Sequence, residues 1–123
     1  MTPEQLKARV EYWQQQLRLK DWLIDAQIVS AEELQGMGAW AYNKMDHENR
    51  FSQIRLVDPQ WAHLLCQNGP PLYPYNLEET LVHEMLHIHL RGWEAEPDTS
   101  AFEDHEFAIN AIAQALMALE SYK

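Results

Sequence analysis

The N-terminal segment has the hydrophobic spacing of an amphipathic helix. Hydrophobic residues recur at intervals of four, three and four, at Leu6, Val10, Trp13 and Leu17. This spacing places the four side chains on one helical face and predicts a helix running to about Leu19. Thr2 is a suitable cap for that helix, and Pro3 suits its first position.

Three segments that follow have the pattern of β-strands. Residues 22–30 are rich in apolar and β-branched side chains, residues 38–43 alternate small and aromatic ones, and residues 50–58 alternate between two faces. The polar residues 44–49 predict a hairpin loop between the second and third strands, and Pro59 ends the third.

The rest of the chain is predicted to be helical, with breaks. The expected elements are a short helix at 60–66, a break at 68–74, a helix at 76–91 capped by Asn76, and a last helix at about 101–121 capped by Thr99 or Ser100. This order of elements predicts an α+β fold in one domain, residues 1–123. In it, the helices pack on one face of a three-stranded, mainly antiparallel sheet.

Composition and charge narrow the functional classes. The formal net charge of −10 disfavours general binding to nucleic acid phosphates. The single cysteine, Cys66, cannot form an internal disulfide, which fits a reducing compartment. The N-terminal segment lacks the apolar stretch of a signal peptide, and no segment approaches the length of a membrane span. We therefore expect a soluble cytoplasmic protein with no nucleic acid or membrane partner.

The motif that carries candidate chemistry is H-E-x-x-H at residues 83–87, inside the third predicted helix. Residues four apart lie on one helical face, so His83 and His87 can bind the same metal ion. The neighbouring Glu84 can act as the general base that takes a proton from an attacking water. Polar residues in an apolar helix are costly without partners. The alternative interpretation of the motif is that the side chains of His83, Glu84 and His87 face solvent and bind no metal.

A catalytic zinc site needs a third protein ligand, and the last predicted helix offers two. The apolar stripe of that helix is Phe102, Ile109, Ile112, Ala113 and Leu116. His105 falls near the centre of this stripe and Glu106 at its edge, so periodicity alone slightly favours His105. Asn110, one turn beyond Glu106, could accept the second N–H of a ligating histidine, or could be a solvated polar residue.

These two helices resemble a known group of enzymes. Residues 79–90 and 106–116 are similar to the signature helices of the gluzincin branch of the zincin metallopeptidases, in particular of small single-domain zincins encoded by phages and prophages. The resemblance implies a minimal zincin-like domain in which Glu106 is the third ligand and Asn110 steadies a ligating histidine. SprT-like zincins, which use a third histidine, are the alternative relatives and would give that role to His105.

The motif and the resemblance together lead us to expect a metallopeptidase that hydrolyses a peptide or protein substrate. It would bind one Zn²⁺ per chain through His83, His87 and Glu106, with Glu84 as general base. An edge strand, at residues 38–43 or 50–58, would pair with the extended substrate. The alternative function is a zinc-containing, non-catalytic binding or regulatory module of phage or prophage origin.

Three other histidines and one tryptophan are of types that can bind a metal or line a substrate cleft. His47 is expected to be solvated, and His89, on the other side of the motif helix, is not expected to be a ligand. His63 is either a packing residue or close to the site. Trp93 follows the motif helix closely and is a candidate for the wall of a substrate cleft.

Overall fold

The structure is a computed structural model that describes residues 1–35, 39–65, 74–93, 96 and 99–122. In those ranges it has three α-helices, α1 (Pro3–Gln16), α2 (Leu77–Leu90) and α3 (Ser100–Glu120). It also has three strands, β1 (Leu23–Val29), β2 (Ala41–Asp46) and β3 (Phe51–Val57). Short 3₁₀ helices occupy Ala31–Leu34, Pro59–Leu65 and Arg91–Trp93. The prediction of a mixed α and β fold with a three-stranded sheet is confirmed.

The ends of the helices follow the capping signals of the sequence. Thr2 and Gln5 form a reciprocal capping box at the start of α1. The side chain of Asn76 caps α2 by accepting the N–H of Glu79, and Thr99 caps α3 in the same way. The prediction that α1 runs to Leu19 is wrong. Arg18 adopts a left-handed conformation with φ 60°, which ends the helix and turns Leu19 into the core.

The sheet has the order β1-β3-β2, and it is mixed rather than mainly antiparallel. β2 and β3 form the predicted antiparallel hairpin, but β1 pairs with β3 in parallel. The reason is that the chain crosses from β1 to the opposite edge, so that β3 returns between the two earlier strands. β2 extends to Asp46, so the first part of the predicted loop 44–49 is strand, and Arg50 completes the turn at φ 52°.

The short predicted helix at 60–66 is a 3₁₀ helix, Pro59–Leu65. Cys66 and almost all of the predicted break at 68–74 lie outside the described residues. In the described part of the chain, no helix is both long enough and apolar enough to cross a membrane.

Helix α2 lies at the centre of the main hydrophobic core. Leu81, Val82 and Met85 are fully buried, packed with Ile54 and Leu56 of β3 and with side chains of α1 and α3. Burial of each such side chain stabilises the fold by about 1.5–3 kcal/mol. These contacts hold α2 on several sides and leave one face for its polar residues.

An ion-pair network joins the three helices at the start of α2. The guanidinium of Arg9 in α1 lies 2.8 Å from the carboxylate of Glu78 in α2 and 2.6 Å from that of Glu120 in α3. The indole N–H of Trp13 also donates to Glu78. The network links the start of α2 to the end of α3, through Arg9 of α1.

Candidate metal centre

The polar face of α2 brings two imidazole rings together. His83 and His87 are one helical turn apart, and their Nε2 atoms lie 3.1 Å from each other. Donor atoms of His83, Glu84 and His87 all lie within 4.8 Å of one another. Both rings are largely buried, with 12% of each side chain exposed. The local helical geometry predicted from the H-E-x-x-H spacing is therefore present.

Glu106 of α3 completes this cluster. One of its carboxylate oxygens lies 3.2 Å from Nε2 of His83, and the other lies 3.0 Å from Nε2 of His87. His105 points elsewhere, into an apolar groove that it lines with Leu90 and Trp93. Of the two candidate third ligands, only Glu106 faces the histidine pair.

The rotation of α3 explains why periodicity pointed towards His105. The buried contacts of α3 are made by Ile109 and Ala113, whereas Ile112, counted in the apolar stripe, is 44% exposed. The packing centre of the helix is therefore shifted towards the side of Glu106. Residues 106, 109, 110 and 113 have the spacing of one helical face.

Asn110 forms a hydrogen bond with the second ring nitrogen of His83, Nδ1. The Nδ1–H of His83 donates to Oδ1 of Asn110 across 2.7 Å. This bond places a proton on Nδ1, so Nε2, which faces Glu106 and His87, is the nitrogen that would bind a metal, as a ligating histidine requires. The contact predicted for Asn110 is present, and the alternative of a solvated side chain is wrong.

We expect Asn110→Ala to lower the affinity for zinc by about 10- to 100-fold, because His83 loses the acceptor that orients its ring. Asn110→Asp should retain most of the affinity, since a carboxylate oxygen can accept the same N–H. Zinc titration in competition with a chromophoric chelator measures both effects. Equal affinities for the wild type and the Ala variant would show that the hydrogen bond does not orient a ligand.

The electrostatics of the metal-free cluster couple His83 to Glu106. Burial lowers the pKa of His83, but the hydrogen bond to Glu106 and the charges of Glu84 and Glu106 outweigh it, so the pKa lies above the ordinary value of 6.5. Burial raises the pKa of Glu106, but its hydrogen bonds to His83 and His87 outweigh this and lower the pKa to about 2. Without metal, the carboxylate and the imidazolium stabilise each other.

This coupling predicts how the stability of the metal-free protein depends on pH. The contribution of His83 is present below its unfolded pKa of 6.5 and is lost as the pH rises through the raised folded value. The contribution of Glu106 is present above its unfolded pKa of 4.5 and is lost as the pH falls towards about 2. In urea unfolding with a chelator, Glu106→Gln should therefore destabilise the protein more at about pH 5.5 than at about pH 8.5. A difference that grows with pH would contradict the pairing.

Glu84 lies beside the cluster and is anchored through its backbone. Its carboxylate is 3.9 Å from Nε2 of His83, and 14% of the side chain is exposed. The amide of Asn43 in β2 donates to the Glu84 carbonyl at 2.9 Å, and the hydroxyl of the fully buried Ser52 in β3 donates to Asn43 at 2.6 Å. The sequence patterns do not predict this contact. The only signal was a polar residue in each of two predicted strands.

The cluster opens into a cleft of about 210 Å³ between the start of β2 and the two helices. The described residues that line it are Ala39, Trp40, Ala41, Glu79, Thr80, His83, Glu84, Glu106 and Asn110. β2 is an edge strand and forms one wall. β3 is the central strand, so the alternative that residues 50–58 form a substrate-binding edge is wrong.

The remaining candidates lie away from the cleft. The ring of His47 is exposed but not simply solvated, since its Nε2 lies 3.1 Å from the carbonyl oxygen of Ile88. His89 contacts the carbonyl of Leu17 on the α1 side, in agreement with its exclusion as a ligand. His63 is exposed and does not line the cleft. Trp93 is 80% exposed and lines the apolar groove beside His105 rather than the cleft.

Comparisons of the chain with protein-family models, with curated proteins and with solved structures found no match. The geometry of the cluster can be compared with the requirements of zinc. Tetrahedral ligands at about 2.0–2.1 Å from zinc are about 3.3–3.4 Å apart. The Nε2 atoms of His83 and His87 lie 3.1 Å apart, and each contacts a different carboxylate oxygen of Glu106, at 3.2 and 3.0 Å. Two imidazoles and a carboxylate are also ligand types that zinc prefers, so these three residues fit one zinc ion.

Proposed function

We propose that the chain is a zinc-dependent peptidase with His83, His87 and Glu106 as metal ligands and Glu84 as general base. The observation that carries the proposal is the convergence of three side chains from two helices. Two imidazoles and the two oxygens of one carboxylate make contacts of 3.0–3.2 Å, beside a second carboxylate in an open cleft. A site with three protein ligands keeps a position for water or substrate, which is the arrangement of catalytic rather than structural zinc.

The chemistry is divided between the metal and the protein. Bound zinc would polarise the substrate carbonyl and lower the pKa of water, which is what hydrolysis of an amide at neutral pH requires. Glu84 takes a proton from the attacking water and delivers it to the nitrogen of the leaving amine. Asn110 keeps His83 in the ligating tautomer, and Asn43 holds the Glu84 turn of α2 against β2.

The proposal extends to the substrate and the fold. β2 is an edge strand, and its first residue, Ala41, lines the cleft, so we infer that its unpaired edge can bind an extended peptide. A motif helix, a second helix that supplies a glutamate, and an edge strand beside them agree with a gluzincin-like domain. This support comes from the arrangement of the elements alone. The cytoplasmic location and the phage or prophage origin stay predictions.

One observation favours the alternative of a non-catalytic zinc module. Among the described residues that line the cleft, there is no tyrosine, lysine or arginine, and no histidine other than His83. Zincin-type hydrolysis is faster when such a donor stabilises the negative oxygen of the tetrahedral intermediate. A purely structural zinc site, however, does not require a carboxylate such as Glu84, which lies beside His83 and lines the cleft.

The experiment that tests the proposal is hydrolysis of a mixed peptide library by zinc-loaded protein, with new termini identified by mass spectrometry. The peptidase proposal predicts cleavage products that disappear with a chelator and return when zinc is added back. Absence of cleavage by protein that contains one zinc per chain would favour the non-catalytic module.

A further inference from the structure

The cleft contains a carboxylate that the proposed reaction does not use. Glu79 lies in the first turn of α2, one helical turn before His83, and lines the cleft together with Glu84 and Glu106. Its side chain is partly buried, and burial raises the pKa of its carboxyl group. Among the described residues, no side chain forms an ion pair or hydrogen bond with this carboxylate. By contrast, the adjacent Glu78 is paired with Arg9.

With zinc bound and His83 therefore neutral, the charges of the cleft leave Glu79 without compensation. Three carboxylates and no lysine or arginine are present among the described lining residues. A bound Zn²⁺ carries two positive charges, which offset those of its ligand Glu106 and of the nearby Glu84. The negative charge of Glu79 is then not balanced. Glu79 lies on the same wall as the metal ligands and is partly desolvated. In such a position a carboxylate attracts a cation more strongly than in bulk water.

The opposite wall of the cleft is also suited to a cation. Trp40, which directly precedes β2, lines the cleft and is half-buried. Tryptophan has the aromatic ring that attracts ammonium and guanidinium groups best. A carboxylate on one wall and an indole on the other are two independent features with the same preference.

We propose that Glu79 is a specificity residue that binds a positively charged group of the substrate, either the α-ammonium of a peptide N-terminus or a lysine or arginine side chain. The inference rests on the proposed zinc site, since the charge balance assumes a bound metal. An acidic residue in the first turn of a helix also favours the helix dipole. That structural role would affect the stability of the protein but not the selectivity of the cleft.

The test uses three zinc-binding probes whose affinities for the zinc-loaded protein are measured by calorimetry. N-acetyl-leucine hydroxamate carries no cation, leucine hydroxamate carries an α-ammonium, and N-acetyl-lysine hydroxamate carries a side-chain ammonium. The variants are Glu79→Gln, Glu79→Asp, and Glu11→Gln as a matched control. Glu11 is exposed and lines a different groove, between α1 and β1. Zinc content and thermal stability are measured first for every variant.

We expect at least one charged probe to bind the wild type about 3- to 10-fold more tightly than the neutral probe. The probe that shows this preference identifies the source of the cation. Glu79→Gln should remove the preference while leaving the affinity for the neutral probe unchanged, and Glu79→Asp should retain part of it. Glu11→Gln should behave as the wild type.

Two kinds of failure are distinguishable. If all probes bind the wild type equally, or if the preference survives in Glu79→Gln, the role of Glu79 is wrong while the zinc site stands. If the preference is lost equally in Glu11→Gln, it reflects the overall charge of the chain and again overturns the role of Glu79. If the wild type takes up no zinc, the proposed function fails and this inference fails with it.

Discussion

Replacing Glu84 by glutamine is expected to slow peptide hydrolysis by about 10²- to 10⁴-fold, the usual contribution of a positioned general base. Glutamine has nearly the same shape as glutamate but cannot accept the proton of the attacking water. The anchor of this turn is the bond from Asn43 to the backbone carbonyl of Glu84, which the substitution does not alter. Zinc content and the folded structure should therefore be retained.

Initial rates on a peptide cleaved by the wild type measure this effect, with zinc content and circular dichroism recorded on the same samples. Glu103→Gln is a matched control, because Glu103 is exposed in the first turn of α3 and does not line the cleft. A Glu84→Gln variant that retains zinc and hydrolyses peptides within about 3-fold of the wild-type rate would exclude Glu84 as the base. A cellular phenotype that survives the substitution would favour the non-catalytic module.

Glu106→Ala is expected to reduce the affinity for zinc by more than about 100-fold. Loss of a ligand should cost more than loss of a hydrogen-bond partner of a ligand, which costs about 10- to 100-fold. The substitution removes the carboxylate whose two oxygens contact the Nε2 atoms of His83 and His87, so only the two histidines of the proposed ligand set are left. His105→Ala should change the affinity by less than about 2-fold, because the His105 ring lines the apolar groove on another side of α3.

The measurement is a competitive titration with a chelator of known affinity, carried out on both variants and on the wild type. The two variants control for each other, since they alter neighbouring, half-buried residues of the same helical turn. Loss of affinity in His105→Ala alone would contradict the gluzincin-like ligand set and favour a third-histidine site. Equal loss in both variants would indicate a general effect on α3 rather than loss of a ligand.

The features that the sequence predicted well are those set by local interactions. Thr2, Asn76 and Thr99 cap helices because their side chains accept N–H groups two or three residues away. The β2–β3 hairpin joins segments that are close in sequence. His83 and His87 converge because a single helix places residues four apart on one face. None of these features depends on distant parts of the chain.

The features that were missed depend on packing between distant segments. The parallel pairing of β1 with β3 is decided by the path of the crossover and not by the composition of either strand. The choice between His105 and Glu106 depends on how far α3 is rotated against α2, which the burial of Ile109 and Ala113 decides. Asn43 meets Glu84 only once β2 lies beside α2, and no periodicity in either segment indicates that contact.

The most direct test of the central claim is the number of zinc ions bound per chain, measured by elemental mass spectrometry on protein purified without a histidine tag. A His83→Ala, His87→Ala double variant serves as the reference. The proposed ligand set predicts about one zinc per wild-type chain and none in the double variant. A wild-type chain that binds no zinc after zinc is supplied, or a double variant that binds as much as the wild type, would contradict it.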